Sequence, residues 1–545
     1  MPQLRHCTAV LIVVCRNHAI DAQLKRVVAD CVSMSSKIAQ TSTATLIGVE
    51  AVPVTVEVFT RRGGSKPLCT IIGLGDAAVK EARERIQGVA SSLGIELPER
   101  ILINLYPAEL RKEGTMFDLA IMAGLLVAIG RIRSDSLEGI ALFGELSLRG
   151  DVLPVRGMLA LAAVAAANGA RMIIVPAANA SEAALCCVCP VLAITHVREL
   201  YSPNKLPQVS APVARSETAN CEPDPFHDVL GQERAKRALT IAAAGGHNVL
   251  MIGPPGCGKS MLAERMSRVL PSLSQSEILD VVRVHSLANQ PVASLLDGRR
   301  PFRAPHYASS APGLLGGGQP FTPGEITLAH RGVLFLDEFP EFKRSLLESL
   351  RLPLEVGTLS VSRAQGRYIL PAQFQLIAAM NPCPCGKLGS VHQCECTMGA
   401  RLTYMARLSQ PILDRIDMHV ELHAVTVGEL ARTALAAPKI NISPVIFKRT
   451  ESVRSARTLA IESRGKCNAA LSGEELRRYA PVGEGGAKLF EAAALKFGLS
   501  ARGVTRVLRV ARTIADLEEN PDVDNKHLAE ALSYRSLERQ RVTSS

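Results

Sequence analysis

Hydrophobic and polar positions change rhythm along the chain. Between Met34 and about Leu200, runs rich in Val, Thr and Ile alternate with helical periods. Ala44–Val58 alternates in part, as a half-buried strand does, and Ile101–Leu105, Ala141–Leu148 and Met172–Val175 predict further short strands. A mixed α/β domain is expected over residues 34–200. Residues 201–225 carry Pro203, Pro207, Pro212, Pro223 and Pro225 among small and polar residues, which supports neither helix nor central strand and predicts a linker. Beyond it, Asn248–Ile252, Val333–Leu336 and Gln375–Met380 are continuous apolar runs bounded by turn residues and separated by long helical stretches. Strands buried on both faces of a parallel sheet read this way, so a second α/β domain is expected over 226–425. From about Thr426 the pattern is helical only. Ser472 with Glu475 forms a capping-box pair, and Val504, Val507, Leu508, Ala511, Ile514 and Ala515 share a face over Ser500–Leu517. Residues 426–545 are read as an all-helical lid. Met1–Val32 shows no usable period.

Composition narrows the class. With 47% hydrophobic and 21% charged residues, the 545-residue chain has the usage of folded domains. Uncharged runs such as Leu119–Gly130 fall short of the ~18 apolar residues of a spanning helix, and no membrane partner is expected. Lys and Arg number 62 against 51 Asp and Glu, a net +11 that favours an anionic partner, nucleotide or nucleic acid. The apolar run Thr8–Cys15 has an arginine on either side but no small-residue cleavage site after it. A reducing cytoplasmic setting is expected, where clustered cysteines point to metal rather than disulfides.

The clearest chemistry lies in Gly253-Pro254-Pro255-Gly256-Cys257-Gly258-Lys259-Ser260, which fits G-x-x-x-x-G-K-[ST] between a predicted strand and a helix. Glycines let backbone N–H groups close around phosphates, the lysine meets the β- and γ-oxygens, and the serine hydroxyl binds Mg²⁺. Downstream, Val333-Leu-Phe-Leu-Asp337-Glu338 buries a strand whose end presents Asp337 to the metal, with Glu338 set to polarise an attacking water. A third strand ends in Asn381. Ligands of open parallel sheets lie beyond the carboxyl ends of strands, so this amide is expected to hold the lytic water or the γ-phosphate. ATP with Mg²⁺ is the expected substrate and cofactor.

These motifs, together with Asp228-Val-Leu-Gly-Gln232, Arg300-Pro-Phe-Arg-Ala-Pro-His306, Pro323-Gly-Glu-Ile-Thr-Leu-Ala-His330 and Leu413-Asp-Arg-Ile-Asp417, resemble the magnesium-chelatase-like AAA+ ATPases of the ComM/YifB branch. The likeness runs from about Met34 to Arg535. It implies an extension or misassigned start at residues 1–33. It also implies Asn381 as sensor 1, Arg415 as an arginine finger completing a neighbour's site, and Arg502 as sensor 2 on the lid, with Arg506 a rival. Guanidinium groups suit charge spreading over phosphate oxygens. A finger acting in trans requires a ring, so a homo-hexamer is implied.

Thr358–Leu370 reads as a hairpin with Arg363 and Arg367 flanking a Gln-Gly turn. It looks like the presensor-1 hairpin of related DNA motors, and its arginines suit sequence-independent contact with DNA phosphates. The Arg300–His330 segment resembles the helix-2 insertion. Cys383-Pro-Cys385 and Cys394-Glu-Cys396 offer four thiolates for a structural Zn²⁺, with His392 an alternative ligand; buried reduced thiols are the other reading.

Residues 44–200 resemble the Lon-protease-like domain of this family. The Lon serine aligns with Met116 in Lys112-Glu-Gly-Thr-Met116, and the Lon lysine with Leu159 in Val152-Leu-Pro-Val-Arg-Gly-Met-Leu159. Without a nucleophilic oxygen or an amine base, peptidase chemistry is not expected. The fold class is thus a Lon-like α/β domain, an AAA+ P-loop domain and a helical lid. The expected function is an ATP-driven ring motor on single-stranded or branched DNA, a helicase or branch-migration enzyme in the integration of transforming DNA, with recombination proteins as partners. The alternatives are a chelatase-type remodeller, whose dedicated motor subunits the resemblance implies to lack the Lon-like domain, and a nucleotide-controlled DNA-binding scaffold.

Overall fold

The computed structural model describes residues 38–535 apart from segments 48–49, 62–67, 74–76, 110–111, 113, 187–188, 212–223, 319–320, 364–365, 390–392, 425–443 and 498. The segment 1–33 and His392 therefore lie outside the described residues. The chain folds as two compact units, the first running in essence to Ser210.

The first unit is built on an eight-stranded mixed sheet. Its order is Gln208–Val209, Val191–Ile194, Met172–Pro176, Ile140–Leu142, Ile38–Ile47, Glu50–Arg61, Arg100–Tyr106, Leu68–Ile72. The run expected as one strand at Ala44–Val58 is two, Ile38–Ile47 and Glu50–Arg61, adjacent in the sheet. The run Ala141–Leu148 is likewise broken: Ile140–Leu142 and Glu145–Leu146 flank Gly144, whose φ of 155° turns the chain out of the first ladder. The proline-rich segment is only partly a linker. Pro203 opens a 3₁₀ turn, Pro203–Lys205, and Gln208–Val209 pairs antiparallel with Val191–Leu192, because fixed φ suits a helix start and an edge strand tolerates neighbouring proline. Met116 and Leu159 are both buried.

The second unit holds a five-stranded parallel sheet. Its strands are β1 (Val249–Ile252), β2 (Phe302–Arg303), β3 (Val333–Leu336), β4 (Gln375–Met380) and β5 (Met418–Glu421), in the order β2-β3-β4-β1-β5. Every residue of β1, β3 and β4 is buried, as their unbroken apolar sequences require. One face carries α1 (Glu233–Gly245), α2 (Lys259–Val269) and the lid helix α3 (Ala501–Leu517); their buried residues share one core with Val249, Val333 and Ile377. The buried seam of α3 is Val507, Val510, Ala511, Ile514 and Ala515, with Val504 and Leu508 at its margin, so the predicted face is rotated slightly to include Val510. The capping box forms: Ser472 N–H donates to Glu475 Oε2 (2.7 Å) and Glu475 N–H to Ser472 Oγ (3.3 Å). The lid and the sheet belong to one compact unit, although the helical pattern alone set them apart at residue 426.

A buried ionic cluster anchors α3. Asp516 accepts from Arg464 (2.6 and 2.9 Å) and Asn468 (2.7 Å) and pairs with Arg512 at 2.9 Å, with Asp516 and Arg512 each 1% exposed. Asp516→Ala would leave two guanidinium groups desolvated without their counter-charge. It is expected to cost about 3–5 kcal/mol, read as an earlier midpoint in urea unfolding; an unchanged midpoint would show that the cluster is not needed for stability.

Candidate active site

The carboxyl ends of β1, β3 and β4 converge because the strands are parallel and in register: Ile252 pairs with Met380, and Leu336 with Ala378. Each strand is followed at once by one part of the phosphate motif. After β1 the chain turns through Gly256 (φ 76°) and Gly258 (φ 91°), left-handed conformations that side chains rarely adopt, and enters α2 at Lys259. A loop of this kind ending at a helix N-terminus turns backbone N–H groups toward an anion.

Lys259 is 9% exposed, and its Nζ donates to Gly253 O (2.7 Å), Pro254 O (3.0 Å) and Asn381 Oδ1 (3.2 Å). Burial pulls its pKa below the usual lysine range, while Cys257, Asp337 and Glu338 act the other way. A phosphate offers this ammonium an anionic acceptor in place of neutral carbonyls, a stronger, charge-assisted bond. Ser260 Oγ donates to Asp337 Oδ2 at 2.9 Å. Two hard oxygen ligands thus stand side by side, a donor set that fits Mg²⁺. Glu338 is exposed and left-handed (φ 51°), with its N–H on Asp337 Oδ1 at 2.9 Å. A non-glycine residue held in that region beside Asp337 is the kind of strain that sites retain for function.

The loop has a buttress that motif reading did not single out. Gln232, also left-handed, donates from Nε2 to His423 O (2.7 Å) and Cys257 O (3.3 Å), tying the phosphate loop to the chain just beyond β5. The Asp228–Gln232 motif was legible; the role of its last residue was not.

Arg415 and Arg502 lie elsewhere. Both line a cleft of about 1060 Å³ at the amino ends of the strands, where Asn248, Gly332, Gln375 and Asp417 also face. The phosphate loop is at the opposite, carboxyl end of the same sheet, so neither arginine joins this chain's own Lys259. Arg415 Nη2 is 2.6 Å from Glu355 Oε1, and Nη1 donates to Pro411 O at 2.6 Å. Arg506, Arg509 and Arg457 line the same cleft. Arg506 lies 3.6 Å from Asp417, and burial pulls its pKa down.

The hairpin forms between β3 and β4: Thr358–Arg363 pairs antiparallel with Gly366–Pro371, with Ser362 opposite Arg367 and Arg363 opposite Gly366. The side chains of Arg363 and Arg367 lie outside the described residues. The four cysteines gather: the sulfurs of Cys383, Cys385, Cys394 and Cys396 all lie within 4.8 Å of one another.

A parallel sheet in this order, with a lysine loop after its first strand and an Asp-Glu pair after its third, defines a P-loop ATPase domain of the AAA+ type. Comparison with known proteins agrees. The family "Magnesium chelatase, subunit ChlI" matches residues 225–430, "Subunit ChlI of Mg-chelatase" residues 56–179, and "Magnesium chelatase, subunit ChlI C-terminal" residues 448–535. The chain is 41% identical over 511 residues to YifB of Salmonella typhimurium, covering 93% of this chain and 98% of YifB. It is 39% identical over 500 residues to the competence protein ComM of Haemophilus influenzae, covering 90% and 96%. A stretch of 58 residues, 10% of this chain and 8% of the relative, is 48% identical to the archaeal Lon protease of Halobacterium salinarum. The chain belongs to the magnesium-chelatase-like family of YifB and ComM. Among the described residues no helix is long and apolar enough to cross a membrane.

Gln232→Ala removes two hydrogen bonds that hold the loop without touching phosphate. ATP affinity is expected to fall roughly 3–10-fold, about one net hydrogen bond's worth, with the fold intact. Titration with a fluorescent ATP analogue reads this directly, and wild-type affinity would show the loop to be self-supporting.

Proposed function

We propose that this protein is an ATP-hydrolysing ring motor that acts on DNA, as a helicase or branch-migration enzyme in the integration of transforming DNA. The observation that carries the ring is the division of polar and charged groups between two ends of one sheet. Lys259, Ser260, Asp337, Glu338 and Asn381 gather at the carboxyl ends, whereas Arg415 and Arg502 face a cleft at the amino ends. Arginines so placed are spare to their own site and suited to a neighbour's, which makes a closed homo-oligomer, read as a hexamer, the economical assembly.

In this reading Lys259 holds the β- and γ-phosphates, and Glu338 takes the proton of the attacking water. Asn381, its Oδ1 already occupied by Lys259, has its amide N–H groups left to orient that water or the γ-phosphate. Ser260 and Asp337 would hold Mg²⁺, which would supply charge neutralisation at the phosphates. Arg415 and Arg502 meet the γ-phosphate of the adjoining subunit. Support for DNA comes from the paired hairpin bearing Arg363 and Arg367, the net +11 charge, and the likeness to a competence protein. Recombination proteins are the partners this reading implies, a cytoplasmic location the setting, and a Zn²⁺ on the four cysteines its structural companion. With Met116 and Leu159 buried at the aligned positions, the first unit is read as a binding collar rather than a peptidase.

A chelatase-type remodeller stays the second reading, since all three matching families carry the chelatase subunit's description. One of them covers residues 56–179, so the presence of an amino-terminal domain does not separate the two readings.

ATP turnover measured alone and with single-stranded, duplex and branched DNA, alongside strand displacement, tests the proposal, with Lys259→Ala as the inactive control. Arg363→Ala with Arg367→Ala should lower DNA affinity and DNA-stimulated turnover together and leave basal turnover in place. For each phosphate that is no longer neutralised, the log–log salt dependence flattens by about 0.7–0.9. An unchanged salt slope with intact basal turnover places the grip elsewhere, and no stimulation by any DNA favours the remodeller.

Glu338→Gln keeps the phosphate-binding groups but removes the proton acceptor. Turnover is expected to drop by about 10²-fold or more while ATP stays bound. Light scattering on the ATP-loaded variant should then report a stable ring; a monomer under those conditions would count against trans completion of the site.

A further inference from the structure

The four-cysteine cluster adjoins the nucleotide loop on two sides. Cys383 is buried and stands two residues after Asn381, whose Oδ1 accepts from Lys259. Gly386, directly after Cys385, is left-handed (φ 73°), and its N–H donates to Cys383 O at 3.0 Å. A Cβ on Gly386 would come within 3.0 Å of Cγ and 3.1 Å of Cδ of Pro255, inside the phosphate loop. The backbone at Gly386 therefore lies against the loop at Pro255 with no room for a side chain between them, and it runs covalently into the residue that holds Lys259.

The sulfur spacing is that of metal ligands. Cys383 and Cys385 Sγ are 3.4 Å apart, and each is 3.6 Å from Cys394 Sγ. These separations are far beyond the ~2.05 Å of a disulfide. A tetrahedron with Zn–S bonds of ~2.3 Å has edges of about 3.8 Å. Arg401 Nη2 donates to Cys394 Sγ at 3.4 Å, which offsets part of the charge of four thiolates around a divalent ion.

We propose that Cys383, Cys385, Cys394 and Cys396 bind one Zn²⁺, and that the loaded knuckle positions Pro255 and Asn381 and so sets the rate of ATP hydrolysis. The second half rests on the ATPase reading. Without the ion, four thiols that share one short knuckle lose the bond that closes it. Gly386 is then no longer held beside Pro255, and Asn381 loses its fixed continuation.

The test uses the full chain. Zinc content of the purified protein, and of Cys385→Ser with Cys394→Ser, is measured by elemental analysis, and Co²⁺ replaces Zn²⁺ to give the visible spectrum of a tetrahedral thiolate site. One zinc per chain, lost in the double variant, is the expected result; no zinc as purified and none taken up from stoichiometric Zn²⁺ overturns the metal site. Turnover and binding of a fluorescent ATP analogue are then followed after chelation and dialysis into excess Mg²⁺, and again after Zn²⁺ is returned. Turnover is expected to fall about tenfold and to recover; full activity in the zinc-free protein overturns the brace. Should the cysteine variant fail to fold, the chelated and reloaded wild-type chain still decides both halves, because zinc content, the cobalt spectrum and turnover are all read on the unmutated protein. Absence of turnover in zinc-loaded wild type is a failure of the ATPase reading instead, and it leaves the zinc count and the cobalt spectrum standing as tests of the metal site.

Discussion

The second unit depends on the register of three short strands. β1, β3 and β4 are four to six residues long and wholly buried, and their parallel pairing brings Gly253, Asp337 and Asn381 to one edge. Sliding any one of them by a residue would turn its side chains to the opposite face and move the polar group after it. The hydrogen bonds Lys259–Asn381 and Ser260–Asp337 join residues 122 and 77 positions apart, and they exist only because the strands end together. Apolar burial, which carries no chemistry of its own, thus positions the groups that do.

Much of this was legible along the chain, because continuous apolar runs, a glycine-rich lysine loop and acidic strand ends are local signals. The first unit was legible as a class but not in its strand boundaries. Ala44–Val58 reads as one β-rich run where the fold has two adjacent strands, since only the isolated Gly48 marks a break. The buttress at Gln232 was hidden for another reason: its acceptors, Cys257 O and His423 O, are backbone atoms 25 and 191 residues away and have no side-chain signature. The cluster of Arg457, Arg506 and Arg509 around the cleft was equally unreadable, for helical spacing shows which residues share a face but not which cavity that face meets.

The lid is attached through polar as well as apolar interactions. His247, fully buried, accepts or donates at Thr513 Oγ1 on α3 (2.8 Å), and its ring lies 3.6 Å from Asp417, which also pairs with Arg506. Asp417 is buried, which opposes its charged form, yet the His247 ring beside it and the nearby Arg506 guanidinium hold its carboxyl below the usual range. Buried polar networks are costly when one partner shifts and the rest do not. The start of β1, the start of β5 and the lid helix are therefore constrained to move as a set.

Asn248 concentrates that constraint on a single strand. Its N–H donates to Asp417 Oδ2 (3.1 Å), its Nδ2 to Arg415 O (3.0 Å), and its Oδ1 accepts from Leu376 N at the head of β4 (2.9 Å). After the four residues of β1, at a rise of ~3.3 Å each, the same chain becomes the phosphate loop at Gly253. β4, bonded to Asn248 at one end, carries Asn381 at the other. Two parallel strands thus join the nucleotide-holding edge to the backbone of Arg415, and both are stiff because they are packed on both faces. In the proposed ring, where Arg415 would serve the next subunit, that arrangement would let the state of one subunit's phosphates bear on that arginine through about four residues of sheet, with the lid following through Asp417 and Arg506. The short sheet is then both the scaffold of one site and the link to another.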